Sequence, residues 1–176
     1  MKLSKKIILI TAAALIALLV FGLLALRRNA RAIVEKIDAE HPFTTVPVAD
    51  FERLDLPAHW LVRIRHGRDY QVELAAEAMA ALKPRLENRD GTLFFSTEAP
   101  DSIGNAPIMQ ARITMPFLET IKAGQGTHIH LQNFDSDTLR LFMEDGGTFT
   151  GKNNRFGFFS LQSSGEVRVD LTEMDI

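Results

Sequence analysis

Ile121-Lys-Ala-Gly-Gln-Gly126, Phe142-Met-Glu-Asp-Gly-Gly147 and Ser160-Leu-Gln-Ser-Ser-Gly165 are three versions of one phrase. Each passes from a strand-like stretch into a small polar turn closed by Gly. A new strand pattern follows each, at Thr127–Leu131, Thr148–Thr150 and Glu166–Leu171. The closing glycines lie 21 and then 18 residues apart, close to one rung of a stacked β-coil. Self-similarity at such a period is the sequence form of a solenoid. Each coil buries its apolar side only against its neighbours, and glycine at a corner supplies φ > 0 and close approach. The repeat predicts a β-solenoid, a surface built for stacking and display.

Alignment on the closing glycines puts His128, Phe149 and Val167 in one inward ladder and His130, Gly151 and Val169 in another. A slip of one residue replaces the histidines with Ile129 and Leu131, which suit a core better. The register of the first coil therefore stays open on sequence alone. Phe156, Phe158 and Phe159 either fill the last coils or form an apolar capping face.

Upstream, Phe51–Leu56 reads as a short edge strand closed by Pro57. Trp60, Val62 and Ile64 alternate with Leu61, Arg63 and Arg65, a half-buried strand by period two. His66–Asp69 reads as a turn and Tyr70–Ala75 as a returning strand, so the pair predicts a β-hairpin. Ala76, Met79, Ala80, Leu82 and Leu86 suit one face of a short helix limited by Pro84. Asn88–Gly91 is a turn, Thr92–Thr97 a strand, Glu98–Pro107 a loop broken by Pro100, Gly104 and Pro107, and Ile108–Met115 a strand.

The amino terminus differs in kind. Ile7–Leu26 is twenty residues without a charge, and a helix of that length spans roughly 30 Å, the thickness of bilayer hydrocarbon. Lys2, Lys5 and Lys6 precede it; Arg27, Arg28 and Arg31 follow it. A cleaved signal has a shorter apolar run of about 7–15 residues, and the Ala30-Arg31-Ala32 spacing is crowded by arginines. The reading preferred is an uncleaved single-pass anchor. Charge on both flanks orients it little; a short basic tail left in the cytoplasm places the remainder outside the inner membrane. The expected organisation is tail and anchor over residues 1–32, helix and linker over 33–50, and a β-solenoid domain over 51–176. Within the second part, His41–Asp50 reads as the linker.

From Ile33 onward the 14 remaining Lys and Arg face all 22 Asp and Glu, a net charge of −8. Nucleic acid rewards clustered cations, so it is not an expected partner. The chain has no Cys, which removes disulfides, thiolate metal sites and an acylated amino-terminal Cys.

Several groups carry chemical possibilities. His128 and His130 share a strand face and could hold Zn²⁺ or Cu²⁺ with a third ligand such as Glu144 or Asp145; two partly exposed strand histidines are the plainer reading. Asp135, Asp137, Glu144 and Asp145 could bind Ca²⁺ or act as a glycosidase pair, but solvated turn carboxylates are expected. Arg63 and Arg65, with Arg68 beyond, could receive a sugar carboxylate or a partner's acidic side chains. Trp60 and Tyr70 are single occurrences, too few for an aromatic sugar platform. Gly124-Gln-Gly126 lies between strands, without the helix a nucleotide site requires. No catalytic, cofactor-binding or metal residue is assigned.

One family shares this order of features. Phe51-x-x-Leu54-x-Leu56, Trp60-x-Val62-x-Ile64-x-x-Gly67, Tyr70-x-Val72-x-Leu74, Asp90-Gly91-Thr92-Leu93 and Ile113-Thr-Met-Pro116-x-Leu118-x-x-Ile121 run into Gly124-x-Gly126 and its echoes at Gly146-Gly147 and Ser164-Gly165. From about Phe51 to Leu171 the chain resembles the GIN domain, the auto-transporter adhesin head domain of bacterial envelope proteins. The resemblance implies a right-handed parallel β-helix-like fold outside the cytoplasm and carries no catalytic residues. The expectation is a mainly β, membrane-anchored, non-catalytic envelope binding domain that engages a protein or glycan or self-associates. The alternative is a carbohydrate-active β-helix enzyme.

Overall fold

Alternation of apolar and polar residues runs through nearly every element, so each strand has an inner and an outer side. The structure, a computed structural model, describes residues 42–76, 83–97 and 109–176. Twelve strands are present among them: β1 (Phe43–Val46), β2 (Arg53–Leu56), β3 (Trp60–His66), β4 (Gln71–Ala75), β5 (Arg85–Arg89), β6 (Thr92–Ser96), β7 (Met109–Met115), β8 (Thr120–Ala123), β9 (His128–Gln132), β10 (Asp135–Glu144), β11 (Thr148–Ser164) and β12 (Arg168–Asp175).

All twelve belong to one sheet, ordered β1-β4-β7-β3-β9-β11-β10-β8-β2-β6-β5, with β12 on β11. The sheet turns back on itself within β11. Thr148–Lys152 pairs with β9, whereas Arg155–Ser164 pairs with β10. Two walls result: a β3 wall (β1, β4, β7, β3, β9, the first part of β11, β12) and a β2 wall (β5, β6, β2, β8, β10, the second part of β11). Pairing is parallel except at β1–β4, β4–β7 and β5–β6. Phe51, Trp60, Ile64, Ile113, Ile121, Ile129, Leu141 and Phe149 fill the space between the walls.

The rungs are more regular than the glycine spacing suggests. His128, Thr148 and Arg168 stack across β9, β11 and β12, and Thr120, Arg140 and Ser160 across β8, β10 and β11; every step is twenty residues. Gly126 (φ 65°) lies level with Gly146 (φ 73°), not with Gly147. The Gly126 N–H donates to the Asp145 carbonyl (2.9 Å) and the Gly146 N–H to Glu166 (2.8 Å). Inward ladders follow the slipped register: Ile129, Phe149 and Val169 stack, and Leu131 meets Gly151. His128 and His130 point outward, because an imidazole would be desolvated where an aliphatic side chain is available. The space left by Gly151 is taken by the Met174 side chain.

The opposite corner repeats too. Asn133 (φ 63°) and Asn153 (φ 52°) turn the chain in left-handed geometry one rung apart. Buried Asn154 donates to the Leu131 carbonyl (2.9 Å) and accepts from the Phe134 N–H (3.0 Å), satisfying the backbone of the coil beneath.

Three expectations are corrected, and a fourth lies mainly outside the described residues. β2 is interior, between β6 and β8, because the β2–β3 coil is flanked on both sides by coils formed later in the chain. β3 and β4 do not form a hairpin: β7 sits between them, parallel to β3 and antiparallel to β4. The helix expected over Ala76–Leu86 falls mainly on residues 77–82, outside those described, and Arg85 and Leu86 belong to β5. β5 and β6 form a two-residue hairpin, with Asp90 (φ 50°) and Gly91 (φ 72°) both at positive φ, the geometry that matches strand twist. The stretch read as a linker, His41–Asp50, holds β1, which covers the free edge of β4.

The anchor expected at Ile7–Leu26 also lies outside the described residues. Among the described residues no helix is long and apolar enough to cross a membrane.

Candidate functional site

The outer side of the β3 wall is a field of polar side chains on four neighbouring parallel strands. Alternation places Gln110, Arg112 and Thr114 outward on β7, and Leu61, Arg63 and Arg65 on β3. Next come His128, His130 and Gln132 on β9 and Thr148, Thr150 and Lys152 on β11. Register aligns Arg112, Arg63, His130 and Thr150 in one row. Neighbouring strands are about 4.8 Å apart. These twelve positions hold four permanent cations and two histidines and no carboxylate, although from Ile33 onward the chain has a net charge of −8. Acidic side chains border the field instead: Glu73 pairs with Arg112 from β4, and Asp170 and Glu173 lie on β12.

Local contacts hold the rim of the field. Arg65 Nε donates to Thr114 Oγ1 (2.9 Å), and the Arg112 guanidinium lies 3.8 Å from the Phe43 ring centre. Arg63 is exposed and makes no hydrogen bond or ion pair among the described residues. Burial, followed by the Arg63 and His128 charges, holds the His130 imidazole below its ordinary range of 6.5. Its neutral form avoids a second charge beside Arg63.

The outer side of the β2 wall contrasts with this. Two of its arginines have partners: Arg53 Nε donates to Thr92 Oγ1 (3.0 Å) and Arg140 pairs with Glu119 (2.7 Å).

Other sequence candidates are dispersed. Glu144 accepts from the Gln125 N–H (3.1 Å) and Asp145 from the Glu166 N–H (2.8 Å), so both organise a corner. Among the described residues no three His, Asp or Glu side chains converge to hold a metal ion. Asp135 is at the other end of β10, about 30 Å from Glu144 by strand rise, far beyond the spacing of a glycosidase pair. There it accepts from Arg155 Nε (3.0 Å), which holds its carboxyl below the usual range. Asp137 is exposed near that end. Arg68 lies in the turn after β3, outside the row. Trp60 is buried against Phe95 and Tyr70 packs on Phe51, so neither ring offers a sugar platform. Burial, with Asp50 and Glu52 nearby, pushes the Tyr70 phenol up.

Sequence reading found Arg63 with Arg65 and His128 with His130 as two separate pairs. It missed Arg112, the Gln and Thr positions and Lys152, since parallel pairing between distant segments joins them.

Residues 50–172 match the family described as "Putative auto-transporter adhesin, head GIN domain". The chain belongs to the GIN-domain family. Among solved structures it is similar to a putative adhesin of Parabacteroides merdae at 10% identity, with 73% of this chain and 55% of that one covered and a TM-score of 0.57. A putative adhesin of Parabacteroides distasonis shows 12% identity, 73% and 64% coverage and a TM-score of 0.47. A putative lipid binding protein of the same organism shows 11%, 73% and 65%, also at 0.47. Likeness at these identities is of fold alone. This GIN-family chain spans about half the length of the first of these structures, 55%. Among curated proteins nothing matches. By its family, the domain is an adhesin-like head domain.

Proposed function

We propose that this GIN-family chain is a non-catalytic binding domain held at a bacterial inner membrane by Ile7–Leu26. In this reading the domain from residue 51 is displayed in the periplasm or at the cell exterior and engages an envelope protein or glycan. Its coils wind right-handed, the sense that parallel crossover connections favour. The observation that carries the reading is the surface itself. The hydrogen-bonded parallel strands of the β3 wall present regular polar rows, and the described rungs repeat at twenty residues. Rigid elements of this kind place contact groups accurately.

The test is an affinity pull-down of the full-length tagged protein after mild crosslinking in its native membrane, against a chain truncated after Glu40. Recovery of an envelope protein or glycan that requires residues 41–176 supports the reading. Equal recovery with the truncated chain overturns it. Turnover of an envelope polysaccharide, abolished by Ala at Asp137, Glu144 and Asp145, would establish the enzyme alternative.

A second mode, self-association, is favoured by the carboxyl-terminal end of the stack. Among the described residues the second part of β11 and β12 are each paired on one side only. Unpaired edges beside exposed Phe158 and Leu161 are templates for another chain. Light scattering across a dilution series checks this: a mass that falls toward the monomer on dilution supports it, and a monomer at all concentrations removes it.

A further inference from the structure

We infer that the outer side of the β3 wall binds a carboxylate-bearing glycan strand, with one carboxylate seated between Arg63 and His130. The inference rests on the binding-domain reading and assigns it a site and a ligand class.

The unneutralised charge at the centre of the field is the first reason. Arg63 and His130 are register partners across β3 and β9, and Arg112 flanks Arg63 on β7. Arg63 has no acidic partner among the described residues, although the chain has 22 carboxylates to draw on. A guanidinium fork takes a carboxylate through two parallel charge-assisted hydrogen bonds. An anion placed there also offsets the Arg63 charge, which together with the larger effect of burial disfavours the His130 imidazolium.

The side chains around that charge select the kind of anion. Gln110, Gln132 and Thr150 offer neutral donors and acceptors on adjoining strands, suited to hydroxyls. Leu61 is the single apolar side chain among the twelve outward positions. The hollow on this face, between Phe43, Leu61 and Ala111, is too small for the aromatic or aliphatic anchors that dominate protein interfaces. Polar rows recur at the strand spacing of about 4.8 Å. That distance is close to the rise of one unit in an extended glycan, so successive sugars meet successive strands. Glu73, Asp170 and Glu173 close the field on either side and disfavour an anionic chain beyond it.

Binding is pH-dependent with a defined sign. The charged and titratable groups facing His130 are Arg63 and Arg65 on β3, His128 on its own strand and Lys152 on β11, with Arg112 on β7, Glu73 on β4 and Asp170 on β12 further out. A bound carboxylate favours the imidazolium, so His130 takes up a proton on binding. Affinity rises as pH falls through the His130 value in the complex.

The experiment uses the full chain in detergent micelles with a short oligogalacturonate, its fully methyl-esterified form and poly-glutamate as probes, read by calorimetry. The acid form is expected to bind and the ester not. Arg63→Gln and His130→Gln are expected to weaken binding by at least about tenfold, while Arg140→Gln on the β2 wall leaves it unchanged. Unchanged circular dichroism in each variant shows that the fold is kept. Equal binding of the ester, equal binding of poly-glutamate, no binding of the acid form, or indifference to Arg63→Gln each overturns the site. Retention of the chain on isolated envelopes separates the two levels. If retention requires residues 41–176 but ignores Arg63→Gln and His130→Gln, the binding domain stands and this site falls. If retention does not require residues 41–176, the binding-domain reading itself falls.

Discussion

Leu141 and Leu161 are the same residue at the same inward position, paired across β10 and β11, yet Leu141 is fully buried and Leu161 is 39% exposed. The β3 wall repeats the contrast: Ile129 and Phe149 are fully buried, while Val169, next in their ladder, is only half-buried. What differs is a coil on both sides against a coil on one. In this fold, burial belongs to the rung and not to the residue type. A middle rung is core, and the last rung is an interface awaiting a neighbour.

Substitutions should separate the two regions most strongly in the core. Phe149→Ala is expected to cost about 3–5 kcal/mol and Leu141→Ala about 2–5 kcal/mol in urea unfolding. Leu161→Ala is expected to cost less than about 1 kcal/mol, since little apolar surface is lost from the interior. Equal losses at Leu141 and Leu161 would break the comparison.

The corners come next. Asn154→Ala leaves the Leu131 carbonyl and the Phe134 N–H without their partner, at about 2–3 kcal/mol. Gly146→Ala places a side chain at φ 73° and is expected to cost about 1 kcal/mol; Asn153→Lys should cost less because αL is already occupied there by a residue with a side chain.

The smallest effect is set by pH on the β3 wall. The folded His130 value lies below 6.5, so its contribution is fully present above that pH and is lost as pH falls through the folded value. His130→Gln should remove this component from the stability profile while leaving stability at pH 8 nearly unchanged.

Much of the architecture was legible because the side-chain period of a strand is written locally. Trp60, Val62 and Ile64 inward, with Arg63 and Arg65 outward, follow from alternation alone, and the rung repeat follows from the corner glycines. The exact step was harder to read: Gly146-Gly147 offers two candidate corners, and only the inward demand for Ile129 and Leu131 chooses between them. Asn133 and Asn153, twenty residues apart, carried the same period in the sequence. Strand order was not local information. Nothing in the stretch from Trp60 to Ala75 shows that β7 will enter between β3 and β4, because that pairing depends on which edge is free when β7 arrives. The field around Arg63 was hidden for the same reason, since its row joins residues 63, 112, 130 and 150 through pairing alone.

Hydrogen exchange across the full chain tests the contrast between rungs most directly. The account predicts slow exchange, limited by global unfolding, in β9, β10 and Thr148–Lys152, with markedly faster exchange in Leu161–Ser164 and β12 of the monomer. Uniform protection from Ile129 through Val169 in a monomer would contradict it.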